Sequence, residues 1–135
     1  MALTLDEKTR ICALAADSRQ AQDIIVLDMQ ALSSVADRFL ICHGRSDRQV
    51  KAIADAIEEQ LIKNGEKPLG MEGYQTGTWI LVDCADLVIH IFDTETRRFY
   101  DLERLWGQAA HLDIPGVLPP ASAQLAAQHM WLKEG

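Results

Sequence analysis

The sequence predicts an α/β domain in which one mixed β-sheet of about five strands carries helices packed on it. Three observations carry that expectation. Apolar runs rich in Ile and Val at 23–29, 38–42, 79–83 and 87–92 have the length and composition of strands. Residues 4–19 and 47–63 instead repeat their apolar side chains at helical spacing. A chain of 135 residues suits a single domain, which buries roughly two thirds of its unfolded surface and needs no disulfide or metal to hold it.

Each element has its own warrant. Thr4 followed by Glu7 is a capping-box pair, and Leu5, Ile11, Cys12, Leu14 and Ala15 then recur on the face of a first helix, 4–19. Asp23-Ile-Ile-Val-Leu-Asp-Met29 is too uniformly apolar for a strand with one wetted face, so a buried strand is predicted there. After the loop 30–37, Arg38-Phe-Leu-Ile-Cys42 repeats the signal. His43-Gly44-Arg45 breaks it, and Ser46 with Gln49 caps a second helix, 47–63, striped by Val50, Ile53, Ala54, Ile57 and Leu61. That stripe has to cover a sheet, because each large apolar side chain contributes about 1.5 to 3 kcal/mol only when buried. Asn64-Gly65 supplies the left-handed stop. Pro68 to Glu72 reads as a short strand that its proline confines to an edge or a strand start, and Gly73 and Gly77 bracket a turn region.

Trp79-Ile-Leu-Val-Asp83 and Leu87-Val-Ile-His-Ile-Phe92 are joined by Cys84-Ala85-Asp86, a connection short enough to demand an antiparallel hairpin. Thr94–Tyr100 and Asp101–Trp106 read as short helices, with Asp93 or Thr94 as the cap. Beyond Trp106 the pattern fades: Pro115-Gly116 and Pro119-Pro120 interrupt it, and Ala121 to Leu132 supports only a modest helix. The expected organisation is a domain at 1–114 and a tail at 115–135, mobile or packed on a neighbour.

The formal charge of -7 repels phosphate backbones and favours basic partners, so little direct binding to nucleic acid is expected. The imbalance is regional: from Glu66 to Asp113 nine acidic residues face four basic ones, a net of -5. Cys12, Cys42 and Cys84 stand far apart among apolar neighbours without CxxC spacing, which suits core thiols in a reducing, cytoplasmic setting. Charges at Asp6, Glu7, Lys8 and Arg10 leave no room for a signal-peptide core. No stretch approaches the ~18 apolar residues of a membrane span.

Several constellations invite a functional reading. The strand-glycine-helix junction at Gly44-Arg45-Ser46 could present helix amides to a phosphate, but it has neither GxxxxGK[ST] nor GxGxxG spacing, and a turn with an N-cap explains it as well. Asp83, Asp86 and Asp93 could gather a divalent metal, although Asp is equally a turn and hairpin-end residue. His43, His90, His111 and His129 lack metal-ligand spacing, and His90 reads as a hydrogen-bonded sheet residue. Cys42 and His43 are adjacent strand residues, so they point to opposite faces and cannot form a thiol-imidazole pair. In Arg97–Trp106, Phe99, Leu102 and Leu105 read most simply as core anchors. Tyr100, Glu103 and Trp106, spaced by three, would share one helical face and make an aromatic and acidic docking patch if that face is exposed.

From Asp23 to Trp106 the sequence resembles the ribosomal silencing factor, or Iojap, family. The resemblance runs in order through Asp23-Ile-Ile-Val-Leu-Asp28, Ser33-Ser34-Val-Ala-Asp37-Arg-Phe-Leu-Ile-Cys-His-Gly44-Arg-Ser46, Gln49-Val-Lys-Ala-Ile-Ala-Asp55 and Glu72-Gly73. It continues through Trp79-Ile-Leu-Val-Asp83, Val88-Ile-His90-Ile-Phe92 and Arg98-Phe-Tyr100-Asp-Leu-Glu103-Arg-Leu-Trp106. The resemblance implies a fold related to nucleotidyltransferases without catalytic carboxylates, and thus a non-enzyme with no cofactor. It also implies a partner, protein fourteen of the large ribosomal subunit, whose occupation keeps the small subunit from joining and lowers translation when nutrients are short. Organellar members imply a role in large-subunit assembly as an alternative. The expected contact residues are Trp79, Tyr100, Leu102, Glu103 and Trp106, with Glu72, Asp83 and Asp86 as acidic companions. A nucleotide-binding enzyme using the Gly44 turn with Asp83 and Asp86, and a homodimer formed through the exposed surface, are the competing expectations. Residues 107–135 inherit no role from the resemblance.

Overall fold

The computed structural model of the chain describes residues 2–114. The expected tail at 115–135 lies outside them. Helix α1, Leu5–Ser18, starts at the capping box: Thr4 Oγ1 accepts from the Glu7 N–H at 3.1 Å, and Glu7 Oε1 accepts from the Thr4 N–H at 2.9 Å. Strands β1, Gln22–Asp28, and β2, Arg38–Gly44, pair antiparallel, and α2 follows at Asp47–Lys63. Ser46 caps α2 through the Gln49 N–H, while Gln49 Oε1 reaches back to the Arg45 N–H at 2.7 Å. Gly65, with φ 83°, turns the chain after α2. Strands β3, Gly70–Glu72, β4, Trp79–Cys84, and β5, Leu87–Asp93, complete an antiparallel run, and α3, Thr94–Tyr100, and α4, Leu102–Leu105, follow.

Among the described residues the sheet has six strands rather than about five, in the order β3-β4-β5-β2-β1-β6. The addition is β6, Ala110–His111, opposite Asp28 and Leu27, in the segment where the sequence loses its pattern. Two residues cannot display an alternation, so no periodicity announces such a strand. Among the described strands only β2 and β5 run parallel, and this pairing at the centre makes the sheet mixed. The α2 helix belongs to the crossover between them.

The sheet is covered unequally. On one face α1 and α2 pack with Ile24, Val26, Leu40, Cys42, Ile80, Val82, Ile89 and Ile91 into the main core, to which Val50, Ile53, Ile57 and Leu61 contribute the predicted α2 stripe. On the other face Ile25, Leu27, Ile41 and Phe92 make a smaller core closed by Leu102 and Ala109. All three cysteines are buried thiols of the main core. Burial pushes Cys42 up to about 12 and Cys84 up to about 11, so neither is a thiolate nucleophile at neutral pH. No helix among the described residues is long and apolar enough to cross a membrane.

Candidate protein-docking face

Alternation along β4 sends Ile80, Val82 and Cys84 into the main core and leaves Trp79, Leu81 and Asp83 half-buried on the thinly covered side. Antiparallel register puts Glu72 beside Leu81 on that side, and Glu72 is exposed. The α3–α4 segment crosses the end of the sheet and adds large rings. Tyr100 lies 4.7 Å from Trp79 between ring centroids, and Phe99 lies 5.0 Å from Tyr100. The run continues from Trp79 to His90 at 6.0 Å, His90 to Phe39 at 4.7 Å and Phe39 to Trp106 at 6.2 Å. Six aromatic rings thus cross β4, β5 and β2 without interruption.

One end of this run is open to solvent: Phe99 is 80% exposed and Tyr100 49%, while Trp106 at the other end is half-buried with the exposed Leu105, 69%, beside it. Phe99 and Leu105 therefore correct the expectation that they anchor the core; of that set only Leu102 is interior. A seven-residue α3 is too short for its sequence to define a buried face, and the turn that follows decides which side chains are presented. Asp101 takes a left-handed conformation, φ 46° and ψ 57°, which separates α3 from α4. Tyr100, Glu103 and Trp106 accordingly do not share one helical face, because no single helix contains them.

Glu103 is 5% exposed and is a partner of Arg97, not a rim carboxylate. Arg97 Nε and Nη2 both lie 2.7 Å from Glu103 Oε1, its Nη1 is 2.8 Å from His43 Nδ1, and Nη1 also donates to the Gln22 carbonyl. Burial and then the Arg97 charge hold the His43 imidazole down at about 3, so it is neutral and accepts from the guanidinium. This knot ties α3 and α4 to the ends of β1 and β2. Nothing in the sequence spacing signals it, since the partners stand 6, 54 and 75 positions from Arg97.

The remaining expected acids divide. Asp83 stays on the open face while its carboxylate accepts from the Ala85 N–H in the hairpin turn. Asp86 is committed to Lys8, 2.7 Å away, which also meets Glu66 at 3.1 Å and ties α1 to the β4–β5 turn. The regional charge excess therefore overstates the acidic rim. Asp93 sits at the far end of β5 from Asp86 and caps α3 through the Thr96 N–H, so the three aspartates are not gathered. No group of three His, Cys, Asp or Glu among the described residues is placed to hold a metal ion. At the Gly44 junction Gln49 Oε1 already takes the Arg45 N–H and Ser46 Oγ takes the Gln49 N–H, which leaves that junction the role of a cap.

The arrangement is an aromatic and aliphatic surface with Glu72 and Asp83 at one margin, suited to a protein partner. A crystal structure of a protein from Chromobacterium violaceum superimposes with a TM-score of 0.76 at 32% identity, covering 91% of this chain and 99% of that one. The ribosomal silencing factor of Bacillus subtilis is 49% identical over 105 residues, 78% of this chain and 89% of that protein. A mouse protein named for mitochondrial assembly of the ribosomal large subunit is 33% identical over 89 residues, 64% of this chain and 39% of its own length. The Bacillus subtilis and mouse relatives carry the names of a silencing factor and an assembly protein, not of enzymes. The sequence model of the family described as ribosomal silencing factor during starvation matches residues 2–132, running past Trp106 through the segment to which the motif resemblance gave no role. On that match, and on the relatives beside it, the chain belongs to the ribosomal silencing factor family.

Proposed function

We propose that the protein acts in the cytoplasm without catalysis, docking through this face onto protein fourteen of the large ribosomal subunit. A bound protein of this size at the subunit interface sterically blocks the small subunit and represses translation when nutrients are scarce. The observation that carries the reading is the solvent-exposed pair Phe99 and Tyr100 stacked onto Trp79, on a protein of net charge -7. Rings and aliphatic side chains supply the desolvated centre of an interface, and Glu72 and Asp83 offer rim partners to the Lys and Arg of a basic ribosomal protein.

Gradient sedimentation of purified subunits with the protein tests both halves. The chain should travel with large subunits and reduce the joined peak. Trp79→Ala and Tyr100→Ala should each weaken that binding by about 30-fold, the effect of losing a side chain at an interface centre. Binding at parental strength by a folded double variant would remove the face, and a parent that does not sediment with large subunits would remove the function. A role in large-subunit assembly is the second reading, favoured by the name of the mouse relative. It predicts accumulation of incomplete large subunits when the protein is depleted in growing cells.

A further inference from the structure

Trp79 is half-buried at the middle of the aromatic run, and its indole N–H is a donor with no acceptor capacity of its own. An N–H of this kind left unpaired beneath a docked partner would weaken the association, because a buried donor loses its water without gaining an acceptor. The structure meets the need from below: Nε1 of Trp79 donates to Nδ1 of His90 at 3.2 Å. His90 projects from the middle of β5, 5% exposed, between the Phe39 ring at 4.7 Å and the Phe92 ring at 6.2 Å.

The bond fixes the state of the imidazole. Since Nδ1 accepts, the single proton of the neutral ring resides on Nε2. That nitrogen is buried and has no hydrogen-bond partner among the described residues. Burial depresses His90 to about 4, so the ring is neutral and Nδ1 keeps its lone pair at physiological pH. A leucine of similar volume would satisfy the packing without leaving Nε2 unpaired. The feature that histidine adds at this position is the acceptor for Trp79.

We propose that His90 is a positioning residue of the docking face, which locks the half-buried Trp79 indole in its pose and consumes its donor inside the protein, so that the partner meets an apolar ring. The proposal rests on the docking reading above, since it assigns His90 a purpose within that face. Its geometry involves no contact between His90 and the partner. Preorganisation of this kind lowers the ordering cost of association.

The experiment compares His90→Leu, which removes the acceptor, with His90→Asn, whose Oδ1 can stand near the Nδ1 position. The first readout is the Trp79 indole N–H signal in nitrogen-15 correlation spectra of the full chain, identified by its disappearance in Trp79→Phe. The second is affinity for isolated large subunits. His90→Leu should move the Trp79 signal and speed its exchange with solvent, and should weaken binding by about five- to tenfold, with Asn restoring most of both. An unchanged Trp79 signal in folded His90→Leu would overturn the proposal, as would a shifted signal with parental affinity while Trp79→Ala binds weakly. If Trp79→Ala itself binds like the parent, the docking face is wrong and His90 has no docking role, whatever the indole signal does. Thermal unfolding of each variant identifies any that fails to fold, and Phe, which also lacks an acceptor, replaces Leu in that event.

Discussion

Arg97 and Glu103 show how much a single pair can decide. Both are almost wholly buried, at 2% and 5% exposure, and the guanidinium is shared among a carboxylate, a neutral imidazole and a backbone carbonyl. Removing one partner strands the other's charge in the interior, which costs about 3 to 5 kcal/mol. Glu103→Ala should therefore lower the urea midpoint by that equivalent. Because α3 and α4 hang on this pair, large-subunit binding should fall as well, although Glu103 is not on the surface. A midpoint within experimental error of the parent would show that the pair is not what holds the segment. At this scale the sequence was legible wherever chemistry is local: the Thr4–Glu7 capping box, the Ser46 cap and the Gly65 stop all occur as the residue types require. It was not legible for Glu103, whose neighbour in space is selected by the path of the chain and not by spacing.

Among the elements, the break between α3 and α4 matters most for the surface. Asp101 holds a left-handed conformation without using its side chain as a cap, and burial, followed by the nearby Glu103, raises its carboxyl above the usual range. The charged form is thus disfavoured in the fold. Asparagine tolerates the same backbone and carries no charge, whereas a β-branched residue does not tolerate it. Asp101→Asn should hold or raise the thermal midpoint at pH 7, and Asp101→Val should lower stability by about 1 to 3 kcal/mol and disturb the placement of Tyr100. Equal midpoints for the Asn and Val variants would contradict the role given to this turn. The helical spacing of Tyr100, Glu103 and Trp106 misled for this reason: a spacing argument assumes one continuous helix, and a single left-handed residue rotates everything after it.

For the molecule as a whole, the two buried histidines on the thinly covered face set an acid limit. His43 is held at about 3 and His90 at about 4, both below the ordinary imidazole value of 6.5. His43 faces Arg97, Arg98 and Arg45, which oppose its protonation, and Asp93, which favours it. Each histidine takes up a proton on unfolding when the pH is below 6.5 and above its folded value. The stability they contribute is complete above pH 6.5 and is lost as the pH falls, by about 1.4 kcal/mol per pH unit for each histidine. Urea midpoints measured from pH 7 to 5, where most carboxylates stay ionised, should decline accordingly. A flat profile over that range would mean that the imidazoles are not held neutral.

The sequence by itself determined the α/β class, the two long helices, the hairpin and the family, because caps, turns, apolar stripes and ordered motifs are written in neighbouring residues. Only the tertiary structure decided that Phe99 and Leu105 face solvent, that Glu103 and Asp86 serve Arg97 and Lys8, and that rings from four separate segments meet in one surface. The physical reason is that exposure and pairing depend on where distant segments come to lie, and a short strand or a single left-handed turn changes that placement without leaving a periodic trace.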